Sequence, residues 1–277
     1  MAADAVTAEA MGAGLAPFDM HLHGDWFSDP PACSASFSAA GGGALGCTVE
    51  PAGYEGLAAV LAGADGSAAS GPVREGGGPG LVPALGLHPW YLGEGGDAEG
   101  RVARFCELAG GCRLIGEVGL DRGRAHRETF DAQVAAFRRV CDAVAPGSVL
   151  SIHSVGAAGE VLDILGESGR LADCTCVFHW FSGTSDELAR ARAAGCLFSV
   201  GPSMLRSRRG REYTRQVPVG RLLLETDLPE RPGTAWGAGE EFSALDAALT
   251  RIADLKGLEP EALADAVCRA SLALLSR

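Results

Sequence analysis

Short apolar runs along the chain alternate with longer segments whose apolar residues recur at helical spacing. The apolar runs predict strands at Leu15–Leu22, Ala44–Val49, Leu81–Leu87, Arg113–Val118, Ser148–Ile152, Thr175–His179, Cys196–Val200 and Leu222–Glu225. The helical segments lie near 54–63, 97–109, 128–144, 156–168, 184–194, 207–217, 241–256 and 259–275. Because strands and helices alternate, the pattern indicates a parallel sheet with helices outside it.

Eight predicted strands favour an α/β fold of the (β/α)₈ TIM-barrel type with an extra C-terminal helix, and an open doubly wound sheet is the alternative. The length of 277 residues suits one such barrel. The glycine-rich stretches Ala64–Gly80 and Pro232–Gly239 are predicted to be surface loops rather than linkers. We therefore expect a single domain over residues 1–277, with residues 1–14 disordered or loosely packed.

Composition narrows the classes of partner. Hydrophobic residues make up 47% of the chain, which is enough for a core. The balance of 23 Lys and Arg against 35 Asp and Glu gives a net charge of −12 and argues against a broad basic surface for nucleic acid. It leaves room for a phosphate held by metal ions in a pocket.

The location is expected to be cytoplasmic, without a membrane partner. The N-terminal segment carries Asp4 and Glu9 with no early basic residue, unlike a signal peptide. No uninterrupted apolar run reaches about 18 residues, the length that predicts a membrane helix. The nine cysteines are scattered without a Cys-x-x-Cys pair and are predicted to be reduced thiols, mostly buried.

A His-x-His pair closes the first predicted strand. Alternate residues of a strand point to the same side, so His21 and His23 are predicted to share one face. Imidazole is the commonest ligand of zinc and similar ions. Taken alone, the pair is more typical of two histidines that satisfy core hydrogen bonds, because the pattern is short and common.

The other histidines strengthen the metal interpretation. Five of the six stand at or just past the end of a predicted strand: His21, His23, His88, His153 and His179. Only His126 falls at the start of a helix. Because barrels place their chemistry at the C-terminal ends of their strands, we expect these imidazoles to converge on a metal site.

Two acidic residues, Glu117 and Asp227, also end predicted strands. An unpaired carboxylate is costly to bury there, and a metal ion removes that cost. Two divalent ions about 3.5–4 Å apart need a bridging anion, and the long side chain of Glu117 on a central strand suits this role. An ion pair with a nearby arginine is the alternative for either residue. Asp121 is placed on a turn and Glu225 on the opposite strand face, so neither is predicted to be a ligand.

Six segments together resemble the TatD family of metal-dependent hydrolases, whose fold is a (β/α)₈ barrel of the amidohydrolase-like group. In the family's order they are Asp19-Met20-His21-Leu22-His23, Gly86-Leu87-His88-Pro89, Ile115-Gly116-Glu117-Val118-Gly119-Leu120-Asp121, Ile152-His153-Ser154, His179-Trp180-Phe181-Ser182-Gly183 and Glu225-Thr226-Asp227. Each segment is a weak signal alone, whereas six in order are specific.

The resemblance implies a two-metal-dependent phosphodiesterase with 3'–5' exonuclease-like deoxyribonuclease activity. One divalent ion would be held by His21, His23 and Asp227. The second would be held by His153 and His179, with Glu117 joining both, and the ions would be Mg, Mn or Zn. Such ions lower the pKa of bound water towards 7. We expect Asp227 to take the proton from that water.

The chain departs from the family pattern around the expected substrate. Trp90 stands where the family often has a second histidine, Val155-Gly156 replaces an Arg-Asp pair, and Leu228 replaces an alanine before Pro229. These changes remove polar contacts for a nucleic-acid backbone, while the Trp90 ring allows a base to stack, a contact worth roughly 1–3 kcal/mol per base. We therefore expect single-stranded ends or short fragments as substrates.

Two further features bear on the substrate, each with an alternative. His88 either hydrogen-bonds the phosphate, protonates the leaving oxygen, or caps the turn before Pro89. An arginine cluster follows the seventh predicted strand, and its Arg208 and Arg209 are the predicted substrate contacts. The alternative is a solvated helix start.

Two other functions remain open at this point. A metal-dependent amidohydrolase or esterase is one, because the same hydroxide attacks a carbonyl carbon as readily as phosphorus. A non-catalytic metal-binding scaffold is the other. A structural site closes its coordination sphere and has no use for a bridged pair of ions, so the ligand set argues against the scaffold.

Overall fold

The computed structural model describes residues 16–65, 77–93 and 96–276. Its eight strands follow one another in sequence order in one sheet: β1 Phe18–Leu22, β2 Gly43–Cys47, β3 Gly80–Leu87, β4 Leu114–Asp121, β5 Val149–Val155, β6 Thr175–His179, β7 Leu197–Val200 and β8 Leu222–Leu224. The pairings from β3 to β7 are parallel. This is the sheet of a (β/α)₈ TIM-type barrel, so the predicted fold class is confirmed.

Helices occupy the connections between the strands. They are α1 Pro30–Ala39, α2 Pro51–Asp65, α3 Ala98–Ala109, α4 Phe130–Ala143, α5 Ala158–Glu167, α6 Arg170–Asp173, α7 Ser185–Ala193, α8 Pro202–Arg206, α9 Arg208–Gln216, α10 Ala238–Lys256 and α11 Pro260–Leu275. All eight predicted helices are present to within a few residues at each end. The two helices after β8 include the extra C-terminal helix that was expected.

Three helices were not predicted, namely α1, α6 and α8. The start of α1 contains two adjacent prolines, Pro30 and Pro31, which is typical of a loop in sequence. Proline is tolerated in the first turn of a helix, where its missing N–H has no partner to lose. The side chain of Asp29 accepts a hydrogen bond from the Ala32 N–H at 3.0 Å and caps this helix.

The described residues divide into two compact units. The terminal unit contains the described residues up to Leu45, those within Ala58–Val82, and those from Val200 onward. The central unit contains Gly46–Leu57 and Pro83–Ser199. Each unit contains strand ends at which predicted ligand residues lie.

An aromatic cluster supports the terminal unit. The ring of Phe37 lies 5.2 Å from that of Phe242 on α10 and 5.9 Å from that of Trp236. The Trp236 ring also meets Phe27 edge-on at 4.9 Å. Every residue of β1 and β8 is buried, so the ends of both strands rest on a packed core.

The central unit is organised around a close approach of β4 and β5. Gly119 of β4 pairs with His153 of β5, and a Cβ at position 119 would lie 2.0 Å from the His153 carbonyl oxygen. Gly119 also has a φ of 142°, which a side chain would strain. Glycine therefore lets the strand that carries Glu117 lie directly beside the strand that carries His153.

Strand β4 extends further than predicted, so the placement of Asp121 on a turn was wrong. Asp121 pairs with Val155 of β5, and the next residue, Arg122, donates its N–H to the Val155 carbonyl at 2.8 Å. The backbone hydrogen bonds to β5 keep the chain extended beyond Val118. Asp121 consequently ends a strand on the same face as Glu117, four residues earlier.

Two predictions fall wholly or partly outside the described residues. These are the loosely packed N-terminus over residues 1–14 and most of the glycine-rich stretch Ala64–Gly80. The second stretch, Pro232–Gly239, forms an exposed loop that leads into α10 at Ala238. None of the helices in the described part of the chain has the length and apolar character needed to cross a membrane. The cytoplasmic location stays a prediction.

The single domain also stays a prediction. Because all eight strands belong to one sheet, we expect one cooperative unfolding transition in urea, with coincident curves from tryptophan fluorescence and far-UV circular dichroism. Two separated transitions would show that the terminal and central units unfold independently.

Candidate metal centre

The first cluster lies in the terminal unit, where β1 and β8 end. His21 lies in β1, His23 follows β1 directly, and Asp227 follows β8. The Nε2 atoms of His21 and His23 lie 3.6 and 3.5 Å from Asp227 Oδ1. Both histidines are buried, whereas 22% of the Asp227 side chain is exposed. The three predicted ligands of one ion therefore come together.

The spacing of these atoms suits a shared ion. A direct N–H···O hydrogen bond spans about 2.7–3.2 Å, which is shorter than both gaps. Two ligand atoms at about 2.0–2.2 Å from one ion in a tetrahedral arrangement lie roughly 3.3–3.6 Å apart. Two imidazoles and a carboxylate are also a donor set typical of zinc and similar ions. The residues therefore fit a divalent metal.

Backbone contacts tie the two strand ends of this cluster together. The Asp227 N–H donates to the His21 carbonyl at 2.9 Å, and the His23 N–H donates to the Leu228 carbonyl at 2.8 Å. Asp227 has a φ of 62°, a left-handed conformation that aspartate tolerates better than most residues. The His23 ring stacks on Trp26 at 4.4 Å. The donor atoms are thus positioned by the fold.

A buried pair of carboxyl groups lies behind this cluster. Thr226 Oγ1 lies 2.6 Å from Asp19 Oδ2 and 3.0 Å from Glu241 Oε1, and Asp19 Oδ1 accepts the His21 N–H at 2.8 Å. Burial raises the pKa of Asp19 to about 6 and raises that of Glu241 well above its ordinary value, the latter helped by the charge of Asp19. Burial beside Asp19 therefore favours the neutral form of Glu241.

The second cluster lies in the central unit, around the carboxylate of Glu117. Its Oε1 atom is 2.7 Å from His153 Nδ1, 2.9 Å from His179 Nε2 and 3.2 Å from His88 Nε2. All four side chains are buried, and they come from β4, β5, β6 and the residue after β3. Two of these imidazoles, those of His153 and His179, again form with the carboxylate a donor set that suits a divalent ion.

Thr48 fixes the start of the segment that carries Glu117. The Glu117 N–H donates to the Thr48 carbonyl at 2.9 Å, and the Thr48 N–H donates to the Gly116 carbonyl at 2.9 Å. The Thr48 hydroxyl donates to the Ala84 carbonyl and accepts the Gly86 N–H. Thr48 therefore holds the backbone at Gly116 and Glu117 by two hydrogen bonds and is itself held by Ala84 and Gly86.

His88 takes one of the roles considered for it, that of capping the turn, and its other ring nitrogen faces Glu117. Its Nδ1 accepts the Trp90 N–H at 3.2 Å, so the imidazole caps the turn that begins at Pro89. Because Nδ1 serves as the acceptor, the ring proton belongs on Nε2, which faces Glu117 Oε1. His88 therefore presents a donor to the central carboxylate.

Asp121 is the functional residue that the sequence reasoning missed. Its Oδ2 lies 3.0 Å from His153 Nε2 and accepts the Trp90 indole N–H at 2.6 Å, while its Oδ1 accepts the Gly123 N–H. Burial acts to raise the pKa of Asp121, but these hydrogen bonds outweigh it and lower the pKa. An ionised Asp121 accepts a hydrogen bond from the Nε2–H of His153, which leaves the Nδ1 lone pair to bind a metal ion beside Glu117, an arrangement that commonly orients metal-bound histidines.

Asp121 and Glu117 also change the pKa of His153. Burial alone lowers the pKa of an imidazole, but the hydrogen bonds to Asp121 and Glu117 more than offset it, and the pKa of His153 is raised.

The signal for Asp121 was present in the sequence, because Glu117, Gly119 and Asp121 alternate on one strand face. A strand boundary set at Val118 concealed it.

The predicted substrate contacts lie in different units. Trp90, in the central unit, is 50% exposed and is anchored by its bond to Asp121. Arg208 and Arg209, in the terminal unit, are exposed in the first turn of α9. No ion pair within the described part of the chain involves either arginine. Arg211 instead bonds the carbonyls of Leu205 and Arg206, so part of the cluster is structural.

Comparison with known proteins establishes the family. A family model described as "TatD related DNase" matches residues 18–276. The chain therefore belongs to this family, and the resemblance seen in the six sequence segments is confirmed.

Several curated relatives carry nuclease or hydrolase names. The chain is 32% identical over 192 residues to a protein of Erwinia billingiae named 3'-5' ssDNA/RNA exonuclease TatD, which covers 64% of this chain and 71% of that protein. It is 30% identical over 152 residues to the deoxyribonuclease Tat-D of Schizosaccharomyces pombe, covering 54% of this chain. The chain spans about half the length of that relative, 46%, and 55% and 60% of the mouse and human relatives.

Solved structures show the same fold. The TatD homologue YJJV of Escherichia coli K12 superimposes with a TM-score of 0.65 at 21% identity, covering 94% of this chain and 98% of that one. A TatD family hydrolase of Entamoeba histolytica gives a TM-score of 0.70 at 16% identity, covering 93% and 97%.

We expect Asp121→Asn to weaken metal binding by roughly 10- to 100-fold while the protein stays folded, because the amide no longer draws the Nε2 proton of His153. Metal titration by calorimetry measures the affinity, and circular dichroism checks the fold. The control is Asp163→Asn, which removes an exposed carboxylate of the same unit that pairs with Arg190. Equal affinity in both variants would contradict the role of Asp121.

Glu241 generates a prediction about pH. A carboxyl group whose pKa is raised in the folded state stabilises the fold below its unfolded pKa, and this stability is lost as the pH rises through the folded pKa. Glu241→Gln mimics the neutral form, so its free energy of unfolding should fall less than that of the wild type as the pH rises above the ordinary pKa of a glutamate. Urea unfolding at each pH measures this.

Two variants complete this test. Glu241→Ala leaves the partners of Glu241 unsatisfied and should lower stability by about 1–3 kcal/mol throughout. Glu261→Gln, at an exposed position of α11, should keep the pH dependence of the wild type. A pH dependence in Glu241→Gln equal to that of the wild type would show that Glu241 is ionised in the fold.

Proposed function

We propose that the protein is a two-metal-dependent phosphodiesterase that removes nucleotides from single-stranded DNA ends in the 3'–5' direction. The observation that carries the proposal is the pair of buried clusters, each combining two or more imidazoles with a carboxylate at strand ends. The name of the Erwinia relative supports the choice of bond and substrate.

Each cluster is proposed to hold one divalent ion. Their residues lie at or near the C-terminal ends of their strands, and this is the face on which (β/α)₈ enzymes place their chemistry. His21, His23 and Asp227 would hold one ion, and His153, His179 and Glu117 would hold the other. Mg, Mn and Zn are the candidate ions.

The other roles in the proposed reaction belong to side chains of the protein. Two bound divalent ions supply a water of lowered pKa and stabilise charge that develops on the phosphoryl oxygens. Asp227, whose carboxylate is partly exposed, accepts the proton of the attacking water. His88 holds a proton on Nε2 and is proposed to donate a hydrogen bond from it to a phosphate oxygen or to the leaving oxygen.

The substrate is proposed to contact Trp90 and the arginines of α9. Trp90 presents a half-exposed ring beside the central cluster, with its centroid 4.7 Å from that of His88 and 6.1 Å from that of His153. Arg208 and Arg209 supply positive charge without an ion pair in the described residues. With a net charge of −12, contacts of this local kind favour a short or single-stranded substrate.

The test compares hydrolysis of a single-stranded oligonucleotide, a blunt duplex and a closed single-stranded circle at fixed metal and salt concentrations. We expect the linear single strand to be shortened from its 3' end, the duplex to be cut slowly and the circle to resist, because the bases of a duplex are not free to stack on Trp90. Gel analysis of labelled ends measures each rate.

The same assay includes two variants. Glu117→Ala should lose at least one metal ion and abolish hydrolysis while staying folded, because Glu117 lies among the imidazoles and its removal leaves them without the shared carboxylate. Glu167→Ala, at an exposed position of the same unit, should resemble the wild type. Unchanged metal content in Glu117→Ala, or efficient cutting of the circle, would contradict the proposal. Hydrolysis of amide or ester substrates in place of all three DNAs would favour a C–N or ester hydrolase.

A further inference from the structure

The loop that follows β4 carries the densest positive charge of the central unit. Residues 122–127 read Arg-Gly-Arg-Ala-His-Arg, and all three arginines are exposed. Arg122 is already engaged, because it pairs with Glu160 at 2.5 Å and lies 4.0 Å over the ring of Phe130. In the part of the chain that the structure describes, Arg124 and Arg127 take part in no ion pair. Two arginines thus present charge to solvent.

The same loop holds an aromatic stack. The His126 ring lies parallel to that of Trp90, with centroids 4.9 Å apart and 11° between the planes. Both side chains are partly exposed. Among the described residues, no hydrogen bond or ion pair uses the imidazole nitrogens of His126. The stack therefore presents flat aromatic surface to solvent next to Arg124 and Arg127.

The loop is held in place without a ligand. The Gly123 N–H bonds Asp121 Oδ1 at 2.6 Å, and the Arg122 N–H bonds the Val155 carbonyl at 2.8 Å. The His126 carbonyl accepts the Gln133 side-chain amide at 3.0 Å, which ties the loop to α4. Binding at this surface therefore requires little ordering of the backbone, which favours affinity.

We propose that the surface formed by Trp90, Arg124, His126 and Arg127 binds the end of a single-stranded nucleic acid. A terminal base stacks on the Trp90–His126 pair, and the two arginines contact the phosphates that follow it. The inference rests on the proposed function, because Trp90 shares Asp121 with His153 and so places the stacked base beside the central cluster.

Charge and geometry favour this occupant. Aromatic planes combined with arginines recognise unpaired bases, whereas the bases inside a duplex are stacked on one another and leave no face for the protein. The loop lies between two acidic residues, the buried Asp121 before it and the exposed Glu128 after it. The positive charge is therefore local and suits a few phosphates rather than a long backbone.

The test measures binding of a fluorescein-labelled phosphorothioate oligothymidylate, which resists hydrolysis, to the full metal-loaded chain by fluorescence anisotropy. Three variants are compared with the wild type: Arg124→Gln/Arg127→Gln, His126→Ala and His126→Phe. The control is Arg138→Gln/Arg190→Gln, which removes two exposed arginines of the same unit that pair with Glu167 and Asp163. All of these positions are at the surface, so the variants should fold.

We expect His126→Ala to weaken binding by about fivefold or more, within the roughly 5- to 150-fold range for loss of one stacked base. His126→Phe should restore most of the affinity, because it keeps a flat ring. The double variant Arg124→Gln/Arg127→Gln should reduce the slope of log Kd against log salt by about 1.4, which corresponds to two phosphates of a single strand. The control variant should keep the slope of the wild type.

Two results would overturn the inference. If the wild type degrades single-stranded DNA but all three variants bind as it does, this surface is not the substrate platform, while the proposed function stands. If the wild type neither binds the oligonucleotide nor cleaves DNA, the proposed function fails and the inference fails with it.

Discussion

The buried carboxylate of Glu117 is the charge on which the central unit depends. An ionised carboxylate costs several kcal/mol to remove from water unless it is paired. Three imidazoles face one of its oxygens, and Thr48 holds the backbone at this point by two hydrogen bonds. Asp121 extends the arrangement outward, since it holds the far nitrogen of His153 and the indole of Trp90. Glu117 is thus linked through His153 and Asp121 to Trp90, at the surface that is proposed to bind the substrate.

The terminal unit accommodates its buried carboxyl groups differently. Asp19 and Glu241 lie close to the same threonine, and burial raises the pKa of both carboxyl groups, with the charge of Asp19 adding to the effect on Glu241. The pair supports the backbone N–H of His21 and adjoins Asp227 through Thr226. Metal ligands need side chains held in place before the ion arrives. Both units meet that need by hydrogen bonds to buried carboxyl groups, those of Glu117 and Asp121 in the central unit and that of Asp19 in the terminal unit.

Much of the fold and part of the site followed from residue patterns. Every predicted strand is present, because a buried parallel strand requires a short apolar run between polar loops. His21 and His23 were found by strand alternation, which is a local property. Helix α1 was missed because Pro30 and Pro31 favour loops and helix first turns equally. Asp121 was missed because the end of β4 depends on its hydrogen bonds to β5.

The sequence by itself determined the order of strands and helices, the family, and the residue types that can hold divalent ions. These depend on periodicity and on short motifs, which are read within a few residues. Only the tertiary structure decided which carboxylate faces which imidazole, that Asp121 orients His153, and that His126 lies on Trp90. Such contacts join residues that are tens to hundreds of positions apart, and their formation depends on packing that no local pattern records.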